Sequence, residues 1–525
     1  MVWNRALKDR LNAESGVIVK KWGGQVPVAI VYANSYRIAM SNLGVHALYH
    51  WFNSHDNFLA ERVFWEESPQ STSGALSVES RRPLTDFSAL AFSISFELDY
   101  LNIPRLLKAA GIPAYSGDRD ESYPLVIGGG AVLTANPLPV APFFDAICIG
   151  EAEAILPGLC QALKDTIDHP RQEQLARLAA IPGVYIPSSP RGEELRVRAY
   201  HSTPSQTPTV KRQFAASLDD LPVGTAVFTE GTDFGDMFLL EVQRGCRFSC
   251  RFCLVAITFC PFRYRSLDSL LEQAAAARKY RDRVALVGPV VSEYPHLVGL
   301  LHGLRELGYG LSIGSMRVKP ISTEVLDELV KGGVRSLTIA PEAGTPELRR
   351  SIGKGFSDDD VVDAVCKIGQ AGIRQLTLYS MVGLPGENDE DASALAALVL
   401  RCKFEADKHH IVLSLNVSAF IPKAHTPFER EPMADAADID RRFDLLERTL
   451  SCQGVKVKSD AAAWGQVQAA LARGDEKLAT VIEKLDKISL AGWRRAMKAA
   501  GLTTEAYARR RFDPGDPLPW DNISM

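Results

Sequence analysis

Short runs of branched apolar residues alternate with helix-patterned stretches along most of this chain. That alternation restricts it to an α/β fold built on parallel strands. In the first third the runs are "VPVAIVYA" (26–33), "SALAFSISF" (88–96), "YPLVIGGG" (123–130) and "FDAICIGE" (144–151). Their nearly unbroken apolar character marks strands buried on both faces. Helical patterns fall between them, at "SNLGVHALYHWFN" (41–53), "LDYLNIPRLLKAAG" (98–111) and "EAILPGLCQALKD" (153–165). The pattern predicts a doubly wound, Rossmann-like sheet over residues 1–175, with glycine-rich turns at the strand ends, where such sheets take ligands.

The alternation resumes after residue 236. "MFLLEVQRG", "RVALVGPVV", "GLSIGSMRV", "SLTIAPEAG", "QLTLYSMVG" and "VLSLNVSAF" are six further strand runs with helices between them. They predict a partial (β/α)6 barrel over 236–430, whose chemistry belongs at the C-terminal strand ends. Arg244, Ser292, Ser315, Arg317, Glu342 and Gly383 cluster at those ends. Residues 176–235 carry prolines, serines and short alternating stretches and read as a linker. Residues 431–525 read as a helical C-terminal region covering the barrel mouth and helping to select substrate.

With 525 residues the chain needs more than one core. A net charge of −4 and the lack of any lysine- or arginine-rich run give no positive sign of nucleic-acid binding. No apolar run of about 18 residues appears, so a membrane span is not expected. The polar start, "MVWNRALKDRLNAESG", lacks the apolar core of a secretion signal. The expected location is the cytoplasm, where clustered thiols mean metal or catalysis more often than disulfides. Five of the nine cysteines, Cys148, Cys160, Cys366, Cys402 and Cys452, are scattered and read as packing residues.

The other four fall within "RGCRFSCRFCLVAITFC" (244–260), just after the first barrel strand. Cys246, Cys250 and Cys253 are spaced C-x3-C-x2-C. Three thiolates on one short loop can hold three irons of a [4Fe–4S] cube and leave the fourth open to a chelating small molecule. A structural zinc would want a fourth ligand, and Cys260 is displaced by six residues. A redox dithiol at Cys250 and Cys253 is the remaining alternative.

"CRFSCRFC" resembles the cluster-binding signature of radical S-adenosylmethionine (SAM) enzymes, with Phe252 at its aromatic position. "VGPVVSEYPHL", "SIGSMRVKPIS", "TIAPEAGTPELRRSIGKG", "YSMVGLPGENDED" and "SAFIPKAHTPFE" resemble the successive motifs of the cobalamin-dependent branch. The resemblance implies three cofactors: a [4Fe–4S] cluster on Cys246, Cys250 and Cys253, SAM, and cobalamin. It implies that the cluster reduces SAM to a 5′-deoxyadenosyl radical, which takes hydrogen from an unactivated carbon. By analogy Phe252 packs near adenine, Ser292 meets the methionine amine, Ser315 the ribose or carboxylate, and Arg317 or Arg349 the carboxylate. Glu342 is a candidate for the ribose or amine. Glu387 reads as a helix-start residue, and Tyr379 and His425 line plausible strand ends, Tyr379 as a catalytic candidate. An external donor such as flavodoxin or ferredoxin would supply the electron.

The front sheet resembles the cobalamin-binding domain of these enzymes through "YANSYRIAMSNLGVHALY", "LVIGGGAVLTANPLP" and "FDAICIGEAE". Gly128, Gly129 and Gly130 would let backbone approach the corrin. The D-x-H-x-x-G motif that supplies a lower histidine to cobalt is absent. His46 reads as packing, and Tyr36 or Arg37 is the candidate for that side. The resemblance implies a C-methyltransferase acting on an sp3 carbon of a peptide, protein residue or small molecule. Alternatives are rearrangement, cyclisation or methylthiolation on the same scaffold, and a non-catalytic cobalamin or iron–sulfur binding protein. The two front cysteines, Cys148 and Cys160, are too few for the extra cluster of a methylthiotransferase.

Overall fold

A computed structural model describes residues 9–66, 75–187, 209–221 and 223–525. Its front sheet runs β1 (Val26–Tyr32), β2 (Phe58–Phe64), β3 (Ala89–Ser93), β4 (Leu125–Gly129), β5 (Ala146–Cys148) and β6 (Val184–Tyr185), in the spatial order β2-β1-β3-β4-β5-β6. All neighbours are parallel except β6, which pairs antiparallel with β5. The order reverses direction between β1 and β3, and such a switch point opens a crevice beyond the strand ends.

All four expected front strands form. The edge strand β2 was not foreseen, because Glu61 and Arg62 interrupt its apolar run. Both are buried. Arg62 is tolerated there by ion pairs to Glu14 and Glu79, each at 2.6 Å, since a buried charge is kept only when paired.

Alternate residues of β1 face opposite cores. Val28, Ile30 and Tyr32 pack toward the helices Leu43–Ser54 and Ala152–Thr166. Ala29 and Val31 face the helix Ile103–Ala109 and, unexpectedly, residues near the C-terminus. Leu471, Leu478, Ile482, Trp493 and Met497 belong to that second core. The helices Ala462–Arg473, Lys477–Glu483 and Leu490–Ala499 therefore complete the front sheet's other face. Only the first of them also reaches the barrel cavity described below. The C-terminal region thus reaches the barrel mouth through Ala462–Arg473, while the two helices after it pack on the front sheet.

Part of the expected linker, residues 188–208 and 222, lies outside the described residues; within the rest, β6 joins the front sheet and a short strand β7 (Val210–Lys211) forms. The barrel begins with β8 (Met237–Glu241) and a small hairpin of β9 (Gln243–Arg244) and β10 (Arg263–Tyr264). β11 (Arg283–Val287) and β12 (Gly310–Ile313) line up parallel with β8. After Gly314 the wall continues as β13 (Ser315–Met316), β14 (Ser336–Glu342), β15 (Gln375–Val382), β16 (Val412–Ala419) and β17 (Lys456–Ser459), all parallel.

Each of the six expected barrel runs contains a strand. β17, "KVKS", is an addition beyond residue 430; it carries too little apolar character to read as a strand, and its pairing with β16 holds it. The intervening helices are capped by Ser266, Ser322, Ser357 and Asn388, the last two in reciprocal capping boxes. The chain ends in β18 (Ile523–Ser524), which pairs with β7. No described helix is long and apolar enough to cross a membrane.

Candidate functional site

The cysteine loop leaves β9 through Gly245, whose φ of +75° turns the chain sharply. It closes on itself where the Cys253 amide donates to the Cys250 carbonyl at 3.0 Å. A second loop, 351–355, presses against it. There the Arg251 amide donates to the Ile352 carbonyl at 3.0 Å, and Gly353 sits at φ +84°. A Cβ on Gly353 would lie 2.9 Å from the Ser249 carbonyl oxygen and 3.3 Å from the Cys250 Cα. Only glycine allows this approach.

Burial raises the thiol pKa of Cys246 and Cys250. The neighbouring thiols push in the same direction, while Lys354 pulls both down. The three sulfurs thus share one electrostatic neighbourhood.

The barrel interior is not an apolar core. On β14, β15 and β16 the fully buried apolar positions face the helices, as with Leu337, Leu376, Leu378, Leu413 and Leu415. The intervening residues, Thr338, Thr377, Tyr379, Asn416 and Ser418, are polar and only partly covered. Closed barrels fill this space with branched side chains; here it is left as a polar chamber. Tyr379 stands in it, 42% exposed.

The expected SAM residues divide around that chamber. Phe252 is half-buried against Leu348, Leu384 and Phe420. Ser292 has a buried Oγ with no hydrogen-bond partner, an orphaned donor that a ligand amine or carboxylate would satisfy. Ser315 is exposed on β13. The Arg317 guanidinium lies 3.4 Å above the Phe248 ring and acts on Cys246. Glu342 has a left-handed backbone, φ +68°, at a β-bulge, and pairs with Lys354 at 2.8 Å. Such strain in a non-glycine residue marks a site held by its surroundings.

Arg349 is the exception. It is fully buried and donates to the carbonyls of Ala343 and Phe356 and to Asp358. It holds the 343–358 loops together through four hydrogen bonds, so the structure gives it a bracing role in place of the carboxylate contact expected from sequence. Lys354, in "SIGKG", was missed; its proximity to two cluster cysteines and Glu342 was not visible in spacing.

The front-domain candidates also differ from expectation. A Cβ on Gly130 (φ +122°) would meet the Ile94 carbonyl oxygen at 2.1 Å, and one on Gly128 would hit Leu133 and Phe144 at 2.9 Å. A Cβ on Gly129 would make only an ordinary contact, 3.6 Å from the Cys148 Cβ. Gly128 and Gly130 thus serve close packing of the front domain itself. The Tyr36 ring is buried and its hydroxyl donates to Glu14, while Arg37 pairs with Asp233 at 2.5 Å. His46 is packing, as read: its Nδ1 accepts from the Ala226 and Val227 amides and Nε2 reaches the Met40 carbonyl. Glu387 accepts from the Gly383 and Leu384 amides and pairs with Arg442, so it braces the turn before its helix. His425 points to the Ala135 carbonyl. Arg244 is taken up by ion pairs to Glu151, Glu153 and Glu241. With Arg263–Glu151, they clasp the front sheet to the barrel.

Front sheet, barrel and C-terminal region enclose one cavity of 620 Å³. Phe96, just beyond β3 at the switch point, faces Phe252 and Cys253 of the cysteine loop, with Met381, Lys423 and Trp464 on the remaining walls. Lys423 pairs with buried Glu97, whose other oxygen accepts from Gln468 at 2.8 Å. One polar network therefore ties all three walls.

A thiolate triad at the mouth of a partial α/β barrel, beneath a switch-point sheet, defines the class. The model for "Radical SAM proteins, N-terminal" matches residues 44–187, and that for "Radical SAM superfamily" matches 240–399. The two together span more than half of the chain, which belongs to the radical SAM superfamily.

Among relatives, an uncharacterized protein of Methanocaldococcus jannaschii is 28% identical over 87% of this chain and 90% of its own. A ribosomal protein uS12 methylthiotransferase, RimO, of Syntrophobacter fumaroxidans is 28% identical over 40% of this chain. An uncharacterized methyltransferase of Pyrococcus horikoshii is 23% identical over 35%. Those two matches cover 48% and 42% of the relatives' own lengths. Among solved structures, the radical SAM methyltransferase TsrM from Kitasatospora setae, with cobalamin and a [4Fe–4S] cluster bound, aligns at TM-score 0.55 and 14% identity. The alignment covers 91% of this chain and all of that one. The cobalamin-dependent SAM radical enzyme OxsB aligns at TM-score 0.50 and 14% identity over 92% of this chain and 72% of its own. The chain has the fold these enzymes share.

Proposed function

We propose that the protein is a cobalamin-dependent radical SAM enzyme that methylates an unactivated carbon. The observation that carries this reading is the single cavity joining Phe96 at the front sheet's switch point to Phe252 and Cys253 beside the cluster loop. When bound, the three cofactors supply reductive cleavage of SAM and a transferable methyl group.

The chain's own residues hold, orient and screen. Cys246, Cys250 and Cys253 would hold the cluster, and Lys354 offsets their negative charge while tied to Glu342. The unpaired Ser292 hydroxyl and the polar chamber around Tyr379 would receive SAM. Phe96, Met381 and Trp464 give the cavity apolar walls against which a substrate carbon would pack. Cobalamin would be held against the switch point, and His46, engaged by backbone groups on both ring nitrogens, is not available to it as a ligand. The substrate is a peptide, a protein residue or a small molecule, and a flavodoxin or ferredoxin delivers the electron. Methylthiolation is disfavoured: Cys148 and Cys160 are packed in the front core, and burial pushes their thiols up to about 12 and about 11.

The test is anaerobic reconstitution with iron, sulfide and hydroxocobalamin, followed by incubation with SAM, reductant and cell extract. Methylation predicts 5′-deoxyadenosine, S-adenosylhomocysteine and a cobalamin-dependent gain of one methyl in an extract component. Cleavage of SAM with no cobalamin-dependent methyl gain in any extract component would refute the methyl-transfer reading, and no cleavage at all would refute radical chemistry.

A further inference from the structure

Cys366, read from sequence as a packing residue, lies with two other ligand-type side chains outside the cavity. It sits near the end of the helix Asp358–Gln370. Glu405 and His409 lie at the end of the adjacent helix Asp389–Lys408 and its cap. The Cys366 Sγ is 3.9 Å from the His409 Nε2, and the same nitrogen is 3.4 Å from the Glu405 Oε1. The three ligand atoms all lie within 4.8 Å of one another. With bonds of about 2.3 Å to sulfur and about 2.0–2.1 Å to nitrogen and oxygen, a tetrahedral zinc separates S from N by about 3.6 Å and N from O by about 3.4 Å. The observed spacings are already close to those.

From this geometry we infer a zinc site formed by Cys366, Glu405 and His409, which pins two neighbouring barrel helices together at the end of the barrel opposite the cluster loop.

Three further observations support it. Both helices end here, and their C-terminal carbonyl dipoles favour a cation. Gly369 lies directly under His409: a Cβ at 369 would come 2.5 Å from the His409 Cβ, so glycine makes room for this imidazole. The surrounding donors are also disposed as a supporting layer. The Gln370 Nε2 donates to the Cys366 Sγ at 3.3 Å, and Lys408 takes the Glu405 Oε2 at 2.6 Å, leaving Oε1 for the metal. The fourth position is open to water or to Gln370 after rotation. The strands that follow these helices start here, at Gln375 and Val412. This is the end of such a barrel that serves stability, so the metal's role is to brace the fold.

The experiment uses the full chain with its iron–sulfur cluster assembled, so that Cys246, Cys250 and Cys253 are occupied. Zinc is added, excess is removed, and content is measured per chain, with zinc-edge X-ray absorption for the ligands. The expected result is about one zinc with a single sulfur neighbour at about 2.3 Å and the rest nitrogen or oxygen. It should disappear in both Cys366→Ser and His409→Ala and persist in Cys452→Ser. Zinc should also raise the melting temperature of the wild type and not of Glu405→Gln, which tests the site in a nearly isosteric variant. Zinc surrounded by three sulfurs, zinc content unchanged in the Cys366 and His409 variants, or no retained zinc in the wild type would each overturn the inference.

Discussion

Glu151 caps the helix Ala152–Thr166 of the front sheet, yet its carboxylate is spent on the barrel. It accepts from Arg244 at 3.1 Å and from both Arg263 terminal nitrogens, and also from the Ala215 amide at 3.0 Å. The residue is 4% exposed. Removing one partner of a buried ion pair costs about 3–5 kcal/mol, because the other charge is left uncompensated. Arg244 keeps Glu153 and Glu241, each at 2.8 Å, and Arg263 keeps carbonyl acceptors at Pro261 and Phe259. Glu151→Ala therefore belongs at the low end, about 3 kcal/mol.

With an unfolding entropy of about 2.1 cal/mol/K per residue, 525 residues melting as one unit would shift by about 3 °C. A front sheet melting separately would shift by more. Calorimetry measures this, and the clasp adds a second expectation. On the proposed function, cleavage of SAM rests on the barrel and should survive, while the proposed methyl transfer, which joins barrel and front sheet, should fall further. Glu153→Ala, which leaves Arg244 its two other carboxylates, is the control, with a loss of about 1 kcal/mol. A Glu151→Ala protein melting within about 1 °C of wild type and transferring methyl unimpaired would refute the clasp.

Gly353→Val forces a branched residue into φ +84° against the Ser249 carbonyl, so iron per chain after reconstitution should fall severalfold, while Gly355→Val, whose Cβ meets open space, should load normally. Burial lowers the His46 pKa to about 4; the unfolded histidine takes up a proton below its ordinary value of 6.5 and the folded one only near 4. Stability should thus fall by about 3 kcal/mol as pH drops through that window, and urea titrations should show the slope flattened in His46→Gln. Arg349→Met leaves several buried carbonyls and Asp358 without their donor and should cost about 3 kcal/mol in chemical denaturation, with SAM affinity of the folded fraction unchanged; a selective loss of that affinity would restore Arg349 to the binding site.

The strands most legible in the sequence are those whose burial is uniform. β1 and β3 read at once because nearly every residue is apolar. β2 did not, since the ion pairs that license Arg62 come from Glu14 and Glu79, distant in sequence. β17 is a strand only because β16 offers it hydrogen bonds. The cysteine loop is compact in sequence: Cys246, Cys250 and Cys253 lie within eight residues, so local spacing alone is enough to propose them as cluster ligands. Glycine was the misleading signal. Gly128 and Gly130 are required, but by Phe144 and Ile94 of the same sheet; a glycine in sequence reports close approach without saying what approaches.

The cavity shows where local reading must stop. Lys423 and Gln468 converge on Glu97 across 326 and 371 positions, and no periodicity links such residues. They meet because one C-terminal helix, Ala462–Arg473, serves both cores, burying Leu471 against the front sheet and Ala469 against the barrel. That helix also presents Trp464 and Gln468 to the cavity. Its placement is set by apolar burial on two sides, so its cavity face can vary without loss of fold. The cluster loop is constrained by the chemistry it must hold. On the proposed function, exchanging Trp464, Gln468 or Phe96, which line the cavity, should alter which carbon is modified before it alters whether SAM is cleaved.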